Sequence, residues 1–176
     1  EIHAAQLEAQ MLFRLGDLTR SEGDYERALE VYETFLTRAR EADARLLIAT
    51  AWHRLGQMAH LQGDLAKAST LLQDSLKMHR EAGNKHGIAE CLAALAGVSA
   101  SQGHPNRAVR LFGAADALLE RLMAPLTPAD RTQYDTDLAA TRSQLDAPTW
   151  QAAWAEGRAL TLDQAIVYAL ETTGDD

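Results

Sequence analysis

The chain is poor in the residues that staple or punctuate a fold. Of its 176 residues one is cysteine, Cys91, so no intramolecular disulfide framework is available and a reducing, cytoplasmic setting is expected. Aromatic residues make up 6%, there are 4 prolines, and β-branched residues are far fewer than Ala and Leu. That balance argues against a sheet and for an all-α chain. No apolar run approaches the ~20 residues needed to cross a bilayer, so no membrane contact is expected. Basic side chains are also short: 17 Lys and Arg against 25 Asp and Glu leave a net charge of −8. A surface that neutralises phosphates needs clustered Lys and Arg, so direct nucleic-acid binding is not expected. Residues 121–176 carry most of the deficit, with 4 basic and 9 acidic side chains, which reads as a solubilising end.

The motifs of catalysis are missing as well. There is no G-x-x-x-x-G-K-[ST], no G-x-G-x-x-G, no H-E-x-x-H and no G-x-S-x-G. His86 stands five residues before Cys91, an offset that does not share a helix face, so Cys91 is read as a structural thiol. Asp135 and Asp137 lack the Gly and the terminal Glu of a calcium loop. The expectation is a chain with no catalytic residue, no metal and no cofactor, and no enzyme activity of its own.

What the chain does have is a repeat. RLGDLTRSEGDYERALEVYETFL (14–36) aligns with RLGQMAHLQGDLAKASTLLQDSL (54–76) and with ALAGVSASQGHPNRAVRLFGAAD (94–116). Gly23, Gly63 and Gly103 recur at a period of 40, as do Ala28, Ala68 and Ala108, and Tyr32, Leu72 and Phe112. Each unit contains two helical stretches. The first carries its apolar or small residues at i, i+3, i+4 and i+7: Leu12, Leu15, Gly16, Thr19; Trp52, Leu55, Gly56, Ala59; Leu92, Leu95, Ala96, Ser99. The small third member of each set lets a neighbouring helix approach, and Trp52 is expected in the core. Gly supplies positive φ at the turn, Asp24 and Asp64 are placed to cap the second helix, and Pro105 suits a first turn. Second helices should end near residues 40, 80 and 122.

Beyond residue 122 the period fades while helix signals continue. Thr127-Pro128-Ala129-Asp130 reads as a helix start, with the helix running to about Leu145. Asp146-Ala147-Pro148 starts another that carries Trp150 and Trp154 on one face until Gly157, and the two Trp read as a packing anchor. Thr161-Leu162-Asp163-Gln164 is a capping box leading a third. Residues 123–176 are expected to cap the last repeat, with a frayed tail at Thr172–Asp176.

The repeat resembles the tetratricopeptide repeat, a helix–turn–helix unit of about 34 residues. The resemblance is carried by Trp52-His53-Arg54-Leu55-Gly56, by Leu12, Leu15 and Gly16 in the first unit and Leu92, Leu95 and Ala96 in the third. It is carried also by Ala28/Tyr32/Phe35, Ala68/Leu72/Ser75 and Ala108/Phe112/Ala115. It implies a right-handed α-solenoid of three hairpins (1–42, 43–82 and 83–122) followed by a helical capping segment at 123–176. The period of 40 departs from the family's length. The resemblance also implies that the first helices line a concave face that binds protein or peptide partners. By register that face contains Gln10, Phe13, Asp17 and Arg20, then Thr50, His53, Gln57 and His60, then Glu90. Phe13, His53, Gln57 and His60 are expected at its centre, with Phe13 exposed. His53 and His60 lie about 10 Å apart along a helix axis, too far to hold one metal without a third element. No Lys or Asn stands on this face, so the carboxylate clamp of chaperone adaptors is missing.

A second resemblance covers residues 80–171. Leu111-Phe112-Gly113-Ala114-Ala115, Pro125-Leu126-Thr127-Pro128 and Trp154-Ala155-Glu156-Gly157-Arg158-Ala159-Leu160 look like the C-terminal end of large bacterial signal-transduction ATPases and LuxR-type transcriptional regulators. That implies a sensor or scaffold segment of a multidomain regulator, whose partner is a protein, a peptide, another domain of the same polypeptide, or a second copy. Two other readings stay open: an effector-sensing domain closing round a small molecule, and a free-standing peptide-binding scaffold.

Overall fold

The computed structural model describes residues 2–171; the expected fraying of Thr172–Asp176 lies outside them. Among the described residues the chain is all helix and loop, with no strand. Six helices carry the repeat: α1 (Ile2–Ser21), α2 (Tyr25–Glu41), α3 (Arg45–Leu61), α4 (Leu65–Glu81), α5 (Lys85–Ser101) and α6 (Pro105–Leu122). The start of α2, α4 and α6 at residues 25, 65 and 105 repeats the 40-residue period of the sequence. The C-terminal part adds α7 (Pro128–Arg142), α8 (Ala147–Ala159) and α9 (Leu162–Leu170).

The turns follow local chemistry. Gly23, Gly63 and Gly103 adopt φ of 82°, 79° and 84°, the left-handed region that glycine enters without Cβ strain. Asp24 and Asp64 accept hydrogen bonds from the backbone N–H of Arg27 and Lys67, which satisfies a donor at each helix start. Thr127 and Asp146 do the same for α7 and α8, and Thr161 with Gln164 forms a reciprocal box at α9. A second left-handed position also recurs at 40 residues: Asp43 (47°), Gly83 (66°) and Met123 (50°), each just past a second helix. Two of these three are not glycine and carry the associated strain.

The chain divides into two compact units, Glu1–Gly83 and Asn84–Asp176. In the first, α1 packs on α2, α3 on α4, and α2 on α3. Its core joins Ala28, Tyr32, Phe35 and Ala39 of α2 to Ala9 of α1 and to Ala51, Leu55 and Met58 of α3. The small residues of the first helices fill the role expected of them. A Cβ on Gly16 would lie 2.4 Å from the Tyr32 ring, and one on Gly56 would lie 2.7 Å from the Leu72 side chain. Two expectations fail here. Trp52 is half-buried rather than core, in keeping with a side chain so large that it is rarely enclosed completely. Leu15 is exposed, on a side of α1 turned away from α2.

In the second unit α5 packs on α6, α7 lies against α5 and α6, α8 against α6, and α9 against both α5 and α6. The α6–α8 contact is made backbone to backbone. A Cβ on Gly113 would stand 2.6 Å from the Trp154 carbonyl oxygen, and one on Gly157 would stand 2.1 Å from the Arg110 carbonyl oxygen. Gly157 therefore does not end α8, as the sequence reading had it; the helix runs through it to Ala159 and uses the missing side chain for contact. Helix α7 stops at Arg142, three residues before the expected Leu145. There the Ser143 hydroxyl and the Gln144 amide both donate to the Ala140 carbonyl, and Arg142 donates to the Leu145 carbonyl, so side chains take over from the helical ladder.

Candidate functional site

The nine residues expected on the binding face fall on α1, α3 and α5. Within the first unit, Phe13, Asp17 and Arg20 of α1 meet His53, Arg54 and Gln57 of α3, with Tyr32 of α2 beneath them. Arg54 is the hub. Its Nε lies 2.9 Å from Asp17 Oδ1, its Nη2 donates to Asp17 Oδ2 at 3.1 Å, and its Nη1 donates to Gln57 Oε1 at 3.0 Å. Arg20 donates to the same Gln57 oxygen at 2.8 Å. The Tyr32 hydroxyl donates to Asp17 Oδ1 at 2.6 Å. The Arg54 guanidinium also covers the Phe13 ring at 5.2 Å, and Phe13 packs at 5.8 Å on Phe35.

Electrostatics fix the role of the Tyr32 hydroxyl. Burial, reinforced by the adjacent Asp17 carboxylate, pushes the Tyr32 phenol far above its ordinary range, so the phenol keeps its proton and donates. A buried guanidinium is costly unless it is paired, and Arg54 has the Asp17 carboxylate as its counter-charge and Gln57 as a further acceptor.

The structure changes what the expected residues look like. Arg20, His53 and Gln57 are buried rather than displayed. Phe13 is half-buried against Phe35 and Arg54, so it is no exposed anchor. The reason is the same throughout: with two arginines directed inward between α1 and α3, the polar groups around them are drawn in as partners. Asp17, Thr50 and His60 are half-buried, and Gln10 is exposed. Gln10 edges a shallow groove of about 360 Å³ with Gln6, Ala44, Arg45, Leu46 and Leu47. In the second unit, Glu90 is half-buried on α5 with His86 Nδ1 at 3.5 Å, and that carboxylate holds the His86 imidazole above its ordinary pKa.

Arg54 was missed by the sequence reading, although a signal for it exists. Two hydrogen-bonded links between α1 and α3, Asp17 with Arg54 and Arg20 with Gln57, join residues 37 apart. Opposite or complementary polar types at the repeat period less three residues would have found them.

With the hairpins, the glycine turns and the small-residue contacts in place, the family comparison is decisive. The tetratricopeptide repeat model matches residues 2–81 and again 47–121. The chain belongs to the tetratricopeptide repeat family. Repeats of this family are protein-interaction scaffolds. The chain is also similar to proteins named as candidate HTH-type transcriptional regulators, one from Mycobacterium bovis and two from Mycobacterium tuberculosis. Each is 33% identical over 89 residues, which is 51% of this chain and 10% of the relative. The match thus spans about a tenth of the length of those relatives. No solved structure shows significant similarity to the chain. Among the described residues, no tetratricopeptide helix is long and apolar enough to cross a membrane, and no group of three His, Cys, Asp or Glu is placed to hold a metal ion.

Proposed function

We propose that this chain is the tetratricopeptide part of a bacterial multidomain regulator or signalling ATPase, where it works in the cytoplasm as a non-catalytic interaction and sensor segment. The observation that carries the reading is the polar cluster between α1 and α3. Its buried Arg54, bonded with Arg20 to Gln57, fixes Asp17, and with the less buried Gln10, Thr50 and His60 on the same two helices Asp17 forms the proposed rim. A rim positioned by a rigid network loses little entropy on binding, which is how a groove of modest area gains affinity. Glu90 holds the position of Gln10 and Thr50 in its own repeat, 40 residues on, within the second unit. Phe13 contributes by fixing Arg54 beneath the rim. The partner is a protein or peptide segment, or another domain of the same polypeptide, and this segment makes no direct contact with nucleic acid. The regulator names of the relatives support the setting. In this reading residues 1–122 form three repeats and 123–176 cap the last of them, a role supported by the packing of α8 and α9 on α6.

The test is a random peptide library displayed on phage and panned on the chain. Peptides selected on the wild-type chain should lose tenfold or more in affinity when Gln10→Arg and His60→Glu are introduced together, since both positions lie on the rim. Selected peptides that bind the double variant as well as wild type would place the binding face elsewhere.

A further inference from the structure

Helix α1 carries a row of apolar side chains that the fold leaves in water: Leu7, Met11, Leu15 and Leu18 are 59%, 64%, 39% and 54% exposed. Their spacing of four, four and three residues places them along one side of the helix. Scattered exposed leucines need no explanation, but four in one row do. The internal repeat supplies one. Forty residues on, the same positions of α3 are Leu47, Ala51, Leu55 and Met58. There Ala51, Leu55 and Met58 are buried in one cluster with Ala28, Phe35 and Ala39 of α2, and the partly buried Leu47 packs against it. In α3 this row is the seat of the preceding hairpin's second helix.

We infer that the Leu7–Leu18 row of α1 is a docking surface for the second helix of another tetratricopeptide-type hairpin, joined directly ahead of α1 at the same period. The occupant presents side chains of the kind α2 brings to its cluster with α3: small and aromatic residues such as Ala28, Phe35 and Ala39, flanked by leucines such as Leu29 and Leu36. Continuity with an interface already present in the molecule favours this occupant over a second copy. Four side chains per copy fall far short of the roughly 20–30 residues a side of a standard interface. The curated relatives are about ten times as long as the stretch they share with this chain, which leaves room for further repeats in proteins of that kind. The inference is independent of the partner face proposed above, which lies on other residues of α1.

The experiment extends the chain by its own rule. A duplicate of residues 5–44 placed directly ahead of Ala5 reproduces the α2–α3 junction at α1. The extended chain should melt at least about 5 °C above the 176-residue chain, and amide hydrogen exchange across residues 7–18 of the original copy should slow at least tenfold. Met11→Glu with Leu18→Glu, both at exposed positions, should leave the 176-residue chain melting within about 2 °C of wild type yet abolish the gain in the extended one. An unchanged melting temperature with unchanged exchange at 7–18 would overturn the inference. So would light scattering that finds the 176-residue chain dimeric and Leu18→Glu monomeric, since the seat would then belong to a second copy.

Discussion

The two units share one 40-residue period and are held together by different chemistry. In the first, adjacent hairpins are joined by side chains: Arg54 bridges Asp17 and Gln57 while Arg20 reaches across to Gln57. In the second, α6 and α8 meet at two glycines with ion pairs on either side, Arg110 with Glu156 at 2.6 Å and Arg158 with Asp116 and Glu120. A side-chain bridge tolerates some drift between helices because long arginines follow it. A backbone contact tolerates none, because the interacting atoms have no rotamers. The first design suits helices whose contact is lined with polar groups, and the second suits a close, rigid contact.

That contrast can be broken most severely at Gly157. Gly157→Ala adds a methyl 2.1 Å from a carbonyl oxygen that cannot turn aside, so α8 must lift from α6. The expected loss is about 3 kcal/mol or more. Urea unfolding of a Trp52→Phe background, followed by the fluorescence of Trp150 and Trp154, reads that loss in the second unit. A loss under about 1 kcal/mol would mean the helices have room to slide.

Next comes the first unit's hub. Arg54→Ala leaves the Asp17 carboxylate half-buried without its guanidinium and should cost about 2–3 kcal/mol. Replacing both partners, Arg54→Met with Asp17→Leu, should recover at least half of that, because an apolar pair carries no desolvation penalty. Equal losses in the single and double variants, measured by urea titration of a Trp150→Phe, Trp154→Phe background with Trp52 as the reporter, would show that the pair is not what joins α1 to α3.

A smaller effect of opposite sign is expected where a side chain occupies a glycine conformation. Met123→Gly and Asp43→Gly should each stabilise by roughly 0.5–1 kcal/mol, while Gly63→Ala should destabilise by about 1 kcal/mol. Thermal melts would check all three, and the ordering matters more than the values. The smallest effect belongs to His86. Its pKa is raised in the fold by the hydrogen bond to Glu90, against a reference of 6.5. Its contribution is therefore fully present below that reference and disappears as pH rises through the higher folded value. His86→Ala should lose a few tenths of a kcal/mol at pH 6 and nothing at pH 8.5, the pair being partly exposed and screened. An equal loss at both pH values would assign the effect to packing.

Much of this molecule is legible one residue at a time. The turn glycines, the Asp24 and Asp64 caps, Pro105 and the Thr161–Gln164 box all act through atoms a few residues away, and the sequence reading places each where the structure has it. Legibility ends where the partner is remote. Arg54 and Asp17 are 37 residues apart, and Gly113 and Gly157 are 44 apart. The left-handed turn shared by Asp43, Gly83 and Met123 escaped because only one of the three is glycine, while chain reversal imposes the conformation on all three. The residues that register assigned to a face lie on the expected helices, with exposures that differ from those expected. Register gives the side of a helix on which His53 and Gln57 stand, but whether that side is wet depends on the arginines brought against it.

The sequence by itself determined the all-α class, the 40-residue period, the hairpin turns and the helix starts, because hydrophobic spacing, caps and positive φ are local properties of the chain. The tertiary structure alone decided which polar residues of the first helices are buried and which form a rim. It alone made Gly157 a contact rather than a stop, and left Leu7, Met11, Leu15 and Leu18 uncovered while their counterparts on α3 pack in or against the core. The physical reason is that burial belongs to a pair of surfaces. A sequence period fixes one of them, and only the fold says whether the other is there.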